Sequence, residues 1–240
     1  MKLKKTVYKF KEIYRKLSVP QFTIVTGLII IFFGTLILSS PLCSSSDVGL
    51  WEAFFTSTSA ITVTGLTIID VGVDLNIFGQ IFLAFMLLSG GLGLMAITTF
   101  LQGFVVKGTQ LRTRLDKGKT LDEFGVGGIG RTFQSIAITA ACIISFGAII
   151  LYFFGFIEIQ NNLERLWSAI FHSISAYNNA GFSLWSNSLQ DYRSNFVVNI
   201  VFIFLIVMGG LGWRVIDDLW SNRKKLSYKN LSLHSRLVIR

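Results

Sequence analysis

Two short runs hold the chemistry legible in this sequence: ITVTGL from Ile61 and YNNAGF from Tyr177. β-Branched residues and asparagines are weak helix formers, and each run reaches a glycine that can take a positive φ. Backbone of that kind can be held extended with successive carbonyls turned the same way. Rings of such carbonyls replace the hydration shell of an alkali cation. Bond-making chemistry has no comparable foothold. The chain holds two His and two Cys. Cys43 and Cys142 lack metal or redox spacing, and the apolar windows gather no convergent His, Asp, Glu or Cys. Neither an enzyme nor a cofactor is expected.

Both runs close one motif stated twice. Residues 51–67 (WEAFFTSTSAITVTGLT) and 167–183 (WSAIFHSISAYNNAGFS) superimpose at a constant offset of 116. They share Trp51/Trp167, Ala53/Ala169, Phe55/Phe171, Ser57/Ser173, Ser59/Ser175, Ala60/Ala176 and Gly65/Gly181. A second echo follows, SGGLGLMAI from Ser89 and MGGLGWRVI from Met208. The chain is therefore a tandem pair of units. The first half of each motif, 51–59 and 167–175, predicts a short helix with Trp, Phe and small residues on its packing faces.

The elements that must position these runs belong to a membrane. Of 240 residues, 52% are hydrophobic and 15% charged, whereas soluble domains carry about a quarter charged. Windows 17–46, 75–106, 132–157 and 194–213 contain no Asp, Glu, Lys or Arg, and each provides the ~20 residues of a helical crossing. Windows 53–69 and 166–190 are also uncharged, and hydropathy alone leaves their crossing open. Charge decides it. Cytoplasmic loops collect Lys and Arg, and 19 of the 22 basic residues fall within 2–16, 107–131 and 223–240. Four crossings put all three segments on one side. The other side then holds Asp47, Glu52, Asp70, Asp74, Glu158, Glu164 and Asp191 against Arg165 and Arg193.

The predicted fold is all-α and integral to the membrane: tandem span–pore loop–span repeats, with four crossing helices and two re-entrant segments that enter and leave on the outer side. An N-terminus (1–21), a linker (107–131) and a tail (221–240) are cytoplasmic, and the repeats occupy 22–106 and 132–220. Both termini face the cytoplasm of a multi-pass cell-membrane protein. The first apolar run is read as a span, being long and without a small-residue cleavage pattern. The net charge of +9 then reflects basic loops against an anionic leaflet. Membrane lipids are the expected partners, and nucleic acid is not.

TVTGL and NNAGF after SxSA-type pore helices, followed by GGLG in the next span, resemble the Trk/Ktr/HKT superfamily of potassium transporters, most of all the bacterial Ktr-type membrane subunit. The resemblance runs along essentially the whole chain. It implies four span–pore–span units around one ion path, each giving a filter strand whose central Gly is associated with potassium preference. Carried onto this sequence, the filter positions are Thr62, Val63, Thr64 and Gly65 in the first unit and Asn178, Asn179, Ala180 and Gly181 in the second. The resemblance also implies passive or sodium-influenced potassium uptake, a homodimer and a cytosolic nucleotide-binding regulatory subunit. This chain departs from that pattern in carrying two units, and two strands cannot encircle an ion. Truncation to the N-terminal two of four repeats, ahead of a third, is the expectation. The alternatives are two chains pairing into a fourfold pore, and a non-conducting half-transporter that associates with or modulates a partner.

Several residues carry two readings. Arg214 follows GGLG where the family commonly has a Pro or another apolar residue. An ionisable residue in a span is a functional candidate by default, here a gate beneath the filter. The favoured reading is the cytoplasmic end of the fourth span, paired with Asp217 or Asp218, because Met95 takes that place in the first unit. Gly90, Gly91, Gly209 and Gly210 are candidate hinges or close-packing positions. His172, aligned with Thr56, is expected to be packed or hydrogen-bonded within its pore helix. Trp51 and Trp167 are expected at the outer interface, and Asp47, Asp70 and Asp74 would enrich cations at the mouth. Gly125, Gly127 and Gly130 spell the dinucleotide fingerprint, which needs a preceding strand and an acidic residue about 20 positions on. A polar loop precedes them and an apolar span follows, so they read as a flexible approach to that span.

Overall fold

The computed structural model describes residues 19–91, 126–212, 215, 216, 218, 219 and 231–239. Its regular structure is helical, and among the described residues the only extended pairing is an isolated bridge between Ser44 and Leu75. The first repeat comprises α1 (Val19–Leu38), α2 (Leu50–Thr62), the one-turn α3 (Val71–Asp74) and α4 (Ile77–Gly91). The second comprises α5 (Val126–Ile150) with a π-helical turn at Leu151–Gly155, α6 (Asn162–Tyr177), a 3-10 turn at Gln190–Tyr192 and α7 (Phe196–Leu211); a short α8 (Leu233–Ile239) follows. Gly127 and Gly130 lie inside the first turns of α5, so neither makes the strand-to-helix turn of a dinucleotide site.

The two repeats fold alike. Helix α2 packs on α1 and α4, α6 packs on α5 and α7, and the repeats meet through α4 and α6. An asparagine precedes the last helix of each repeat. Asn76 Oδ1 accepts from the Phe78 and Gly79 amides, and Asn195 Oδ1 from the Val198 amide, satisfying first-turn N–H groups that have no helical acceptor. Each asparagine also reaches back to the chain just after or at the end of the preceding long helix. Asn76 Nδ2 donates to the Leu42 carbonyl, in the turn beyond α1, and Asn195 Nδ2 to that of Gly155, at the end of the π-helical turn. One side chain thus starts a helix and ties it to its neighbour. Asn76→Ala removes both functions and is expected to cost about 1–2 kcal/mol, read as a lower melting temperature in detergent. Asn76→Asp keeps the cap acceptor and should fall between.

Polarity is distributed inside out. The interior holds Thr56, Ser57, Ser59, Ser168, His172, Ser173, Ser175 and Asn178, while Leu28, Phe32, Phe78, Phe85, Phe154 and Phe196 are exposed. Water-soluble domains show the reverse, and apolar surface on this scale marks contact with lipid or protein. Among the described residues, the run Gln134–Gly155 is long and apolar enough to cross a membrane. Within the described residues Thr23–Leu38, Ile77–Gly91 and Phe196–Leu211 are further apolar helical runs. The four uncharged windows thus map onto four apolar helices, one of which reaches crossing length among the described residues.

Candidate functional site

Each central helix hands over to its extended run by the same device. Val63 (φ 55°) and Asn179 (φ 56°) are left-handed, and two residues on Gly65 (φ 81°) and Gly181 (φ 77°) are again positive. The Val63 and Asn179 amides donate to the Ala60 and Ala176 carbonyls at 3.3 and 3.0 Å. Those of Thr64 and Ala180 donate to Ser59 and Ser175 at 2.9 and 2.8 Å. Every pair keeps the offset of 116, so the repeat extends from residue type to dihedral angle. Asparagine tolerates the left-handed region, whereas for valine it costs about 1–2 kcal/mol. The surrounding helices impose it.

Those helices run further than the sequence predicts. Ile61, Thr62 and Tyr177 are helical, because burial of Ile61 and Tyr177 (2% and 7% exposed) outweighs their modest propensity. Thr62 therefore sits on the last turn of α2, its hydroxyl 2.8 Å from the Thr58 carbonyl and 2.6 Å from Thr64 Oγ1. The irregular backbone begins at Thr64 and Ala180. The two runs lie side by side, with Gly65 against the Ala180 carbonyl and Gly181. Thr62, Thr64, Asn179 and Gly181 are exposed, Val63 and Gly65 half-buried, and Asn178 and Ala180 buried. Asn178 Nδ2 donates to the Ile174 carbonyl at 2.8 Å, and its side chain packs on Gly91.

The glycines that follow are contact points. A Cβ on Gly90 would overlap the Ile61 carbonyl, and one on Gly209 the Tyr177 carbonyl, the same place in each repeat. Here the last helix touches the carbonyl end of the central one. Gly210 has more room, its nearest neighbour being Asn179 Nδ2 at 3.9 Å from such a Cβ. Arg214 lies outside the described residues. The acidic residues of the mouth have local structural work. Asp70 caps α3 by accepting from the Gly72 and Val73 amides, and Asp74 accepts from the Asp70 amide and the Ser46 hydroxyl. Asp47 is exposed and lines a cavity of about 500 Å³.

One link between the repeats has no counterpart in the sequence pattern. Trp167 Nε1 donates to Gln80 Oε1 at 2.7 Å, while Gln80 Nε2 donates to the Leu75 carbonyl at 3.0 Å. Beside it, Gly72 packs on the Leu184 carbonyl. Trp167→Phe keeps the apolar ring and strands the Gln80 oxygen. The expected loss is about 1 kcal/mol in denaturant or thermal unfolding. Trp51, its counterpart, is 81% exposed, so Trp51→Phe is expected to leave the stability of the isolated chain unchanged.

A family model described as cation transport protein, TrkH, matches residues 35–238. The chain belongs to this family of cation transport proteins. It is 31% identical over 242 residues to the Ktr system potassium uptake protein B of Bacillus subtilis, covering 98% of this chain and 52% of that protein. To the Ktr system potassium uptake protein B of Vibrio alginolyticus it is 29% identical over 220 residues, 92% of this chain and 48% of that one. The potassium/sodium uptake protein NtpJ of Enterococcus hirae is 31% identical over 231 residues, 95% and 50% of the two chains. The chain thus spans about half the length of the curated relatives it matches. Membership makes it a membrane protein of a transport family, not an enzyme.

Proposed function

We propose that the chain supplies two of the four strands of a potassium-selective filter in a membrane uptake transporter. Potassium is the cargo, met by backbone carbonyls of Thr62 to Gly65 and Asn178 to Gly181. The carrying observation is the repeated backbone of the two runs, left-handed at Val63 and Asn179 and positive again at Gly65 and Gly181. Irregular backbone of this kind can present carbonyls to a dehydrated alkali cation. In this reading α1, α4, α5 and α7 cross the bilayer. Helices α2 and α6 enter from the outside and turn back through the extended runs, and both termini are cytoplasmic. Irregular backbone at membrane depth is tolerated where it lines a water-filled path.

The edges of the pair support two further units. Phe171 and Phe182 are 0% and 3% exposed, whereas their counterparts Phe55 and Leu66 are 40% and 62% exposed. The face that the second repeat covers with the first is bare on the first. At the opposite edge Asn199 donates to the Tyr192, Arg193 and Asn195 carbonyls, much as Gln80 holds its own preceding loop. Asn199 therefore occupies the place from which Gln80 receives a tryptophan. The same bare face also favours a second reading, a half-transporter that does not conduct alone. A homodimer, a cytosolic nucleotide-binding regulatory subunit and an influence of sodium extend the first reading to the whole assembly.

Potassium uptake in a transport-deficient cell tests it. A four-unit version carrying these two repeats is expected to restore growth at low potassium, and the 240-residue chain alone is not. A four-unit version that is made, inserted and still fails to take up potassium would sink the transport reading.

A further inference from the structure

We propose that His172 is a positioning residue that fixes the outer end of the second filter strand; this rests on the filter reading above. His172 lies within α6 and is 1% exposed. Its Nδ1 stands 2.8 Å from the Ser168 carbonyl, which can only accept, so Nδ1 carries the proton. Nε2 is then the acceptor, for the Ser183 hydroxyl at 3.1 Å and the Leu184 amide at 3.4 Å. The Ser183 oxygen in turn receives the Trp185 amide at 3.1 Å. Residues 183–185 form the first turn beyond Gly181 and Phe182. The imidazole therefore joins the central helix to the backbone just outside the filter glycine.

The ring is locked in that orientation. Trp185 stacks on it at 4.1 Å and 19°, and Phe156 and Phe171 meet it edge-on at 5.7 and 5.8 Å. Closer to the glycine, the Ser175 hydroxyl donates to the Phe182 carbonyl at 2.7 Å. Among the described residues, the first repeat keeps the turn itself, the Ile69 amide donating to Thr67 Oγ1 as the Trp185 amide does to Ser183, but lacks the side-chain ties to the central helix. Thr56 and Ser59, the counterparts of His172 and Ser175, have buried hydroxyls without a partner. Thr67, the counterpart of Ser183, bonds only within its own turn at Ile69. Both ring nitrogens of this buried imidazole are satisfied, one within α6 and one by the segment beyond the glycine. Just beyond Gly181 the second strand is tied to α6 by two side chains, His172 and Ser175, whereas the counterparts Thr56 and Ser59 make no such bond in the first. The second strand therefore sets the carbonyl spacing that a dehydrated cation meets.

The test compares His172→Leu, His172→Gln and Ser183→Ala with Gly181→Ser as reference, in the potassium-conducting assembly that contains this chain. Potassium and sodium uptake are measured per amount of folded protein in the membrane. His172→Leu is expected to lower the potassium-to-sodium ratio several-fold at an unchanged amount of protein. His172→Gln, whose Oε1 preserves an acceptor for Ser183 and Leu184, should recover most of it. Ser183→Ala should shift the ratio in the same direction by less, and it decides the matter if His172→Leu does not fold. Wild-type discrimination in both brace variants, where Gly181→Ser loses it, overturns the brace alone. A Gly181→Ser change without effect overturns the filter reading and the brace together.

Discussion

Gly65→Ser is expected to take the potassium-to-sodium ratio close to unity, and to do more harm than Gly181→Ser, although the two glycines are counterparts. Both carry a positive φ, 81° and 77°, so a side chain at either position costs about 1–2 kcal/mol in backbone conformation. Space separates them. A Cβ on Gly181 would have its nearest neighbour, the Gly65 Cα, at 3.8 Å, whereas one on Gly65 would overlap the Ala180 carbonyl oxygen. Backbone oxygen cannot swing aside as the tip of a flexible side chain does. Since Ala180 belongs to the second run, a serine at 65 displaces both strands at once. A serine at 181 strains one. The measurement is paired potassium and sodium uptake for both variants in a conducting form, normalised to protein in the membrane. Unchanged selectivity in Gly65→Ser removes Gly65 from the filter.

Much of this arrangement was legible because it is repeated. The Trp-to-Gly motif at an offset of 116 predicts two short helices, each followed by an extended run with a permissive glycine, and the dihedral angles repeat with it. Three things were not legible, for separate physical reasons. Valine is among the residues least suited to the left-handed region, so Val63 could be placed there only by its surroundings. The link from Trp167 to Gln80 joins non-equivalent positions of two repeats, and periodicity within a repeat carries no information about such a pair. The loop before the last helix is three residues longer in the second repeat, moving the counterpart of Asn76 to Asn195 and that of Gln80 to Asn199. Alignment at the motif's own offset conceals both. Composition also left the structural share of the acidic residues unread. Asp70 and Asp74 read as cation-attracting charge, and in the structure their oxygens also accept from backbone amides and from the Ser46 hydroxyl.

The glycines of the last helices divide by the same argument from space. Gly209→Ala is expected to remove folded protein and not to leave a stable transporter with altered gating. Its Cβ would overlap the Tyr177 carbonyl, so α7 must retreat from the end of α6, and overpacking of this kind costs about 1–3 kcal/mol. Tyr177 immediately precedes Asn178, so that retreat also disturbs the second run. Gly90→Ala should behave alike, because it meets the Ile61 carbonyl at the corresponding place. Gly210→Ala is the contrast. With its nearest neighbour 3.9 Å from the added carbon, alanine fits and is the better helix former. Yield of monodisperse protein after detergent extraction, with its melting temperature, separates the two roles. Close packing requires Gly209→Ala to fail where Gly210→Ala is at least as stable as the parent. A Gly209→Ala protein of parental stability whose transport rate nevertheless changes would return that glycine to the hinge reading, since bending and packing make opposite demands on the same carbon.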